Sequence, residues 1–167
     1  MLYMEDIYQT NSLSFKNKKD GLINFRTVSY VLGILVLVEA GLFVICAGIS
    51  AIYHESSYIC FVWAILINIG IGGVMILAGN RKSNIVSRRD GYCIVSISWI
   101  LFTLLGMLPF YLSGYIPSVT DAFFETMSGF TTTGATILND IESLPHGLLF
   151  WRSFTQWIGG LGIVLLP

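Results

Sequence analysis

The chain has 167 residues, 54% of them hydrophobic and only 11% charged, with a formal net charge of −1. Mean hydropathy is +0.74, whereas a soluble domain carries about 25% charged residues. The balance excludes a soluble globular domain and indicates an integral membrane protein; a charge this close to zero names no partner, and no nucleic acid is expected.

Residues 1–27 form a polar lead-in with Lys16, Lys18, Lys19 and Arg26. The basic residues stand well inside the chain and the next apolar run is too long for a signal-peptide core, so a cytoplasmic N-terminal segment is expected. Residues 28–52 then read as a first membrane span, long enough to cross with some tilt. Its one charge, Glu39, lies near the middle, where a carboxylate costs about 2.5–3.5 kcal/mol on insertion scales. It should face the bundle interior, or be protonated, or both. Two roles stay open for it: a proton or cation relay, or a glutamate hydrogen-bonded to a neighbouring helix.

After a short polar turn, residues 58–78 form the second span of a hairpin that covers 28–79. Gly70, Gly72 and Gly73 allow a neighbouring helix to pack closely. Asn68 reads as an interhelical hydrogen-bond donor or plain structural glue. The loop 80–91 holds Arg81, Lys82, Arg88 and Arg89 against a single acid, Asp90. With the lysines before the first span it satisfies the positive-inside rule, which places the N-terminus and this loop in the cytoplasm.

Residues 92–112 form a third span with Pro109 near its end. The turn-rich stretch 113–117 leads to a helix start, with Ser118 as N-cap and Asp121 three residues on. The helix over 118–130 rises roughly 18 Å, a little over half of a ~30 Å hydrocarbon core. It can enter a bilayer but not cross it. Asp121 and Glu125 in its early turns suit the positive end of the helix dipole, and the negative end arrives beside the run Thr131-Thr132-Thr133-Gly134-Ala135-Thr136. A loop at that depth needs its backbone satisfied by protein, water or an ion, and rings of backbone carbonyls are how potassium filters replace a hydration shell. An extracellular amphipathic helix with a threonine-rich tail is the other reading of this segment.

Asp140 and Glu142 in the following loop are either acids lining a mouth, which would concentrate cations, or solvated loop charges. Residues 146–167 begin a last span, incomplete at Pro167, which looks like a truncation. Trp151 and Trp157 are expected near the membrane interface. Arg152 and Gln156 fall on one helical face, with Asp140 or Glu142 as partner for the arginine. Gly159, Gly160 and Gly162 allow close packing or a bend. Cys46, Cys60 and Cys93 lie in apolar runs without CxxC spacing and read as small buried hydrophobes. His54 and His146 are isolated, so no metal site of that kind is expected. No Ser/His, Cys/His or paired-carboxylate arrangement suggests an enzyme.

The run DAFFETMSGFTTTGATILNDIESLPHGLLFWRSFTQWIGGLGIV resembles the first pore repeat of bacterial Trk/Ktr-type potassium uptake proteins, the TrkH/KtrB family, from about Tyr92 to the end. The preceding hairpin fits the two extra N-terminal helices of TrkH-like members. The resemblance implies an all-α membrane protein: an N-terminal transmembrane hairpin followed by one helix–pore loop–helix repeat of the potassium-channel-like superfamily (92–167, with filter 131–136). It implies K+ as the transported ion, held by the carbonyls of Thr132 and Thr133 with Thr131 and Gly134 adjoining, and no organic cofactor. The remaining pore repeats of a parent chain, a homodimer and a cytosolic nucleotide-binding ring are the implied partners, in the bacterial plasma membrane. In plant relatives a serine at the Gly134 position goes with sodium preference, so glycine points to potassium. A single repeat supplies a quarter of a ring, which leaves a truncated, non-conducting scaffold as the alternative.

Overall fold

A computed structural model describes residues 24–79 and 88–165. The lysines of the lead-in and the greater part of the basic loop, Arg81 and Lys82 included, lie outside the described residues. The described residues form six helices in order: α1 Phe25–Ile52, α2 Tyr58–Ala78, α3 Arg88–Gly106, α4 Leu108–Leu112, α5 Val119–Phe130 and α6 His146–Leu165. There is no strand among the described residues.

Among the described residues, three helical stretches are long and apolar enough to cross a membrane: Phe25–Ile52, Tyr58–Ala78 and Asp90–Leu112. The expected fourth span, α6, has 20 residues and so rises about 30 Å. It is not among the three, because Arg152, Gln156 and a run of glycines dilute its apolar content. The helix that carries the third span starts at Arg88, before Tyr92, and is interrupted at Met107 between α3 and α4. Pro109 explains the break: it has no N–H for the carbonyl one turn back, and its ring crowds that carbonyl.

α1 and α2 form an antiparallel hairpin whose contact is set by small residues. A Cβ on Gly33 would lie 2.8 Å from Ile76 Cγ1 and 2.9 Å from the Gly72 carbonyl oxygen, and one on Gly72 would lie 3.0 Å from Leu37 Cδ2. Gly70 and Gly73 face open space, so only Gly72 of the three expected glycines serves this packing. Asn68 is fully buried, but its amide donates to Ala64 O of its own helix at 2.9 Å rather than across the interface.

α5 begins as its sequence requires, with Ser118 Oγ accepting the Asp121 N–H at 3.4 Å. Its buried face comprises Ala122, Glu125, Thr126, Gly129 and Phe130, a helical i, i+3, i+4, i+7 stripe. An aromatic core locks this helix between the hairpin and α6. Phe43 meets Trp151 edge-on at 4.6 Å between centroids, and Phe130 packs against Trp151, Trp99 and Phe102 at 6.0–6.3 Å. Trp151 is therefore fully buried rather than an interface anchor, and its Nε1–H donates to Gly106 O at 2.8 Å. Trp157, by contrast, is 60% exposed.

Candidate functional site

Gly129 and Phe130 end α5 against α6 with almost no space between the backbones. Any Cβ on Gly159 would run into the Phe130 carbonyl, and one on Gly129 would run into Thr155 Oγ1. Trp151, Thr155 and Gly159, one turn apart on α6, thus form the surface on which the end of α5 rests. The next stripe of α6 is Arg152, Gln156 and Gly160, and it faces the turn that follows. Gln156 Nε2 lies 3.7 Å from the Cβ position of Gly134, and Thr132 Cγ2 lies 4.0 Å from that of Gly160.

The chain leaves α5 by folding its amides back onto the helix end. Thr131 N donates to Met127 O at 2.9 Å, Thr132 N to Gly129 O at 2.9 Å, and Thr133 N to Ser128 O at 3.0 Å; Gly134 N reaches the same oxygen at 3.5 Å. In a trans peptide the C=O points opposite to the N–H of the next residue. Inward amides at 132, 133 and 134 therefore turn the carbonyls of Thr131, Thr132 and Thr133 away from the helix. Among the described residues no donor reaches the carbonyls of Thr132, Thr133 or Gly134. The Thr131 carbonyl accepts Thr132 Oγ1 at 2.7 Å, and that of Ala135 accepts Ser128 Oγ at 2.6 Å. Residues 131–137 are all exposed.

Two backbone reversals produce this turn. Gly134 has φ +73°, and Thr132 has φ +55°. Glycine adopts such a dihedral without steric cost, and sequence reasoning assigns it that task. Thr132 is the surprise: a β-branched residue in the left-handed region stores about 1–3 kcal/mol and persists only where its surroundings dictate it. Here the Gly129 carbonyl holds its N–H.

Glu125, read from the sequence only as an acid suited to the helix dipole, holds a place in this site that sequence reasoning missed. Its side chain is 1% exposed and forms an ion pair with Arg152 Nε at 2.7 Å. Its oxygens also accept Thr136 Oγ1 at 3.0 and 2.9 Å and the Ile137 N–H at 3.2 Å. One buried carboxylate thus joins the end of the turn after α5, the chain leaving it and α6. The expected partners of Arg152, Asp140 and Glu142, do not take that place: both are exposed, and Asp140 Oδ1 accepts the Glu142 N–H at 3.1 Å within its own loop. A charge on the inner stripe of a short amphipathic helix, set against a lone arginine in an apolar helix, was the available signal.

Glu39 lies behind the same helix. It is 2% exposed, and a Cβ on Gly106 would sit 3.0 Å from Glu39 Oε1 and 3.1 Å from Phe130 Cε2 and Thr126 Cγ2. At the end of the bundle that carries the α1–α2 turn, Glu55 caps α6 from another element. It accepts His146 N at 2.7 Å and Gly147 N at 3.4 Å, and pairs with His146 Nδ1 at 2.8 Å. Burial pushes its carboxyl up, but these bonds and the Ser50 hydroxyl outweigh it and hold the pKa down to about 2.

The TrkH cation transport protein family model matches residues 57–167. The Trk system potassium uptake protein TrkH of Salmonella typhimurium is 35% identical over 145 residues, which is 86% of this chain and 30% of that protein. Its namesake in Halomonas elongata is 37% identical over the same shares. The crystal structure of the potassium transporter TrkH from Vibrio parahaemolyticus superposes with a TM-score of 0.79 at 34% identity, covering 85% of this chain and 31% of that one. The chain thus spans about 30% of the length of the curated relatives it matches.

Proposed function

The chain belongs to the TrkH family of cation transport proteins, and from that premise we propose that it contributes one quarter of a potassium pathway. The turn 131–136 is the filter segment, and the carbonyls of Thr132 and Thr133, with Thr131 and Gly134 adjoining, replace water around dehydrated K+. One observation carries this: the turn directs its amides into the protein and leaves consecutive carbonyls outward without donors. In hydrocarbon surroundings such oxygens require a cation or water. The negative end of α5 lies immediately behind them and favours a positive charge by about 0.3–1 kcal/mol. Bond rotation within the turn is limited by the Glu125 tether, so the oxygens keep their spacing.

The described residues hold one such turn, and the ring is completed by further pore repeats. Lead-in and basic loop face the cytoplasm in a bacterial plasma membrane, which puts the α1–α2 turn and Glu55 outside. A homodimer on a cytosolic nucleotide-binding ring completes the assembly, with K+ as cargo and no chemistry performed on it. The segment boundaries follow: cytoplasmic lead-in 1–27, hairpin 28–79, basic loop 80–91 and pore repeat from 92 onward. Asp140 and Glu142 stand at the mouth, where they concentrate cations.

The experiment is growth of a potassium-uptake-deficient bacterium on the full-length protein at limiting K+. Wild type restores growth, whereas Gly134→Ser abolishes it or admits sodium. Unaltered K+/Na+ selectivity in that variant would remove Gly134 from the filter.

A further inference from the structure

The row of carbonyls without donors, Thr132 to Gly134, stops abruptly. The next oxygen, that of Ala135, accepts the Ser128 hydroxyl at 2.6 Å, and among the described residues no other donor reaches it. Ser128 lies in the last turn of α5 and is 6% exposed. It holds the turn twice. Its own carbonyl receives Thr133 N at 3.0 Å and Gly134 N at 3.5 Å, while its hydroxyl donates to Ala135 O. The chain thus presents amides to the helix as far as Gly134 and a carbonyl at Ala135. The reversal falls at Gly134, whose φ of +73° lets the backbone turn over there without steric cost.

Glu125, three residues before Ser128 on the same face of α5, secures the chain further on through Thr136 Oγ1 and the Ile137 N–H. Those bonds leave the Ala135 carbonyl alone. A serine hydroxyl has a single proton to donate, and here it goes to that oxygen. At the other end of the row Thr131 O is also taken, by Thr132 Oγ1 at 2.7 Å. Both of those groups are exposed, so water can replace their bond, whereas the Ser128 side chain comes from the buried face of the helix behind.

We propose that Ser128 is a positioning residue that ends the ion-binding row at Gly134: it turns the Ala135 carbonyl into the protein and withholds that oxygen from the cation. This rests on the reading of 131–136 as the filter and sets the boundary of its ligand set. The number and freedom of the carbonyl dipoles around a dehydrated ion bear on which cation is favoured, so Ser128 acts on selectivity without touching the ion. Without the hydroxyl, Ala135 O has no donor and takes a cation or water instead. The peptide after Gly134 is then free to swing outward, and the oxygens can close on the smaller Na+.

Ser128→Ala and Ser128→Thr in the full-length protein test it, by rubidium against sodium uptake and by anomalous scattering from crystals grown in rubidium salts. Wild type should show rubidium facing the Thr132 and Thr133 carbonyls. Ser128→Ala should add or move a peak to the Ala135 carbonyl and lower the Rb+/Na+ uptake ratio about fivefold, the factor one hydrogen bond is worth. Ser128→Thr, which keeps the hydroxyl, should retain the wild-type peak and ratio. An Ser128→Ala protein with ion positions and ratio unchanged, beside a wild-type peak at the turn, would overturn the proposal and leave the filter reading standing. So would Ser128→Thr behaving as Ser128→Ala, since packing and not the hydroxyl would then be at work. A wild type with no peak at the turn removes the filter reading, and this role of Ser128 with it.

Discussion

Replacing Glu125 by alanine removes the counter-charge of Arg152, whose side chain is 16% exposed and 2.7 Å away. Leaving one member of a buried pair uncompensated costs about 3–5 kcal/mol. The Thr136 hydroxyl can rotate to another acceptor and Ile137 is exposed, so those lost bonds add little. With Arg152 not fully buried, the lower end applies, about 3 kcal/mol, or more than a hundredfold in the unfolding equilibrium. Arg152→Met should cost a similar amount by stranding Glu125. In the double variant Glu125→Ala/Arg152→Met neither charge remains, so its loss should fall short of the summed single losses by roughly 1–3 kcal/mol. The assay is denaturant unfolding in mixed micelles, read by tryptophan fluorescence, as a double-mutant cycle. Single losses that add to within about 0.5 kcal/mol would show the two residues acting independently and refute the tether.

Gly159→Ala should destabilise by about 1–3 kcal/mol, because its new methyl meets the Phe130 backbone rather than a movable side chain; the same unfolding assay reads it. Gly129→Ala meets the Thr155 hydroxyl instead, so adding Thr155→Ala should restore most of the lost stability, whereas no such partner rescues Gly159→Ala. Trp151→Phe keeps the ring packing but strands the Gly106 carbonyl, for a loss of about 1–3 kcal/mol visible in the thermal midpoint. The Glu55 cap has a defined pH signature: its folded pKa of about 2 lies below the ordinary 4.5. Its contribution is complete above pH 4.5 and disappears as pH falls through 2. Its partner His146 has a 58% exposed side chain, so screening leaves on the order of 1 kcal/mol. Wild type should lose that much more than Glu55→Gln across this window in an acid titration of stability.

Much of this molecule was legible because helical periodicity is a local signal. Ser118 with Asp121 marked the start of α5, and the arginine and glutamine at 152 and 156 shared a face by spacing alone. What spacing does not reveal is where a face points. The sequence offered Asp140 and Glu142 as partners for Arg152 because they are near in the chain; packing chose Glu125, on another helix. Trp151, next to that arginine, was read as an interface residue, but it lies on the adjoining stripe that supports α5. Gly134 announced its left-handed backbone through its missing side chain. Thr132 could not, since a β-branched residue takes that conformation only where its surroundings dictate it, here with its N–H on the Gly129 carbonyl three residues back. Asn68 likewise gave no hint that its amide would turn back on its own helix, a bond that competes locally with any across the interface.

Anomalous scattering from crystals of the full-length protein grown in thallium or rubidium salts tests the filter most directly. We expect a peak facing the turn, within coordinating distance of the Thr132 and Thr133 carbonyls, that weakens when sodium replaces the heavier ion. Density confined to Asp140 and Glu142, with the carbonyls of the turn bonded to protein amides, would contradict the account.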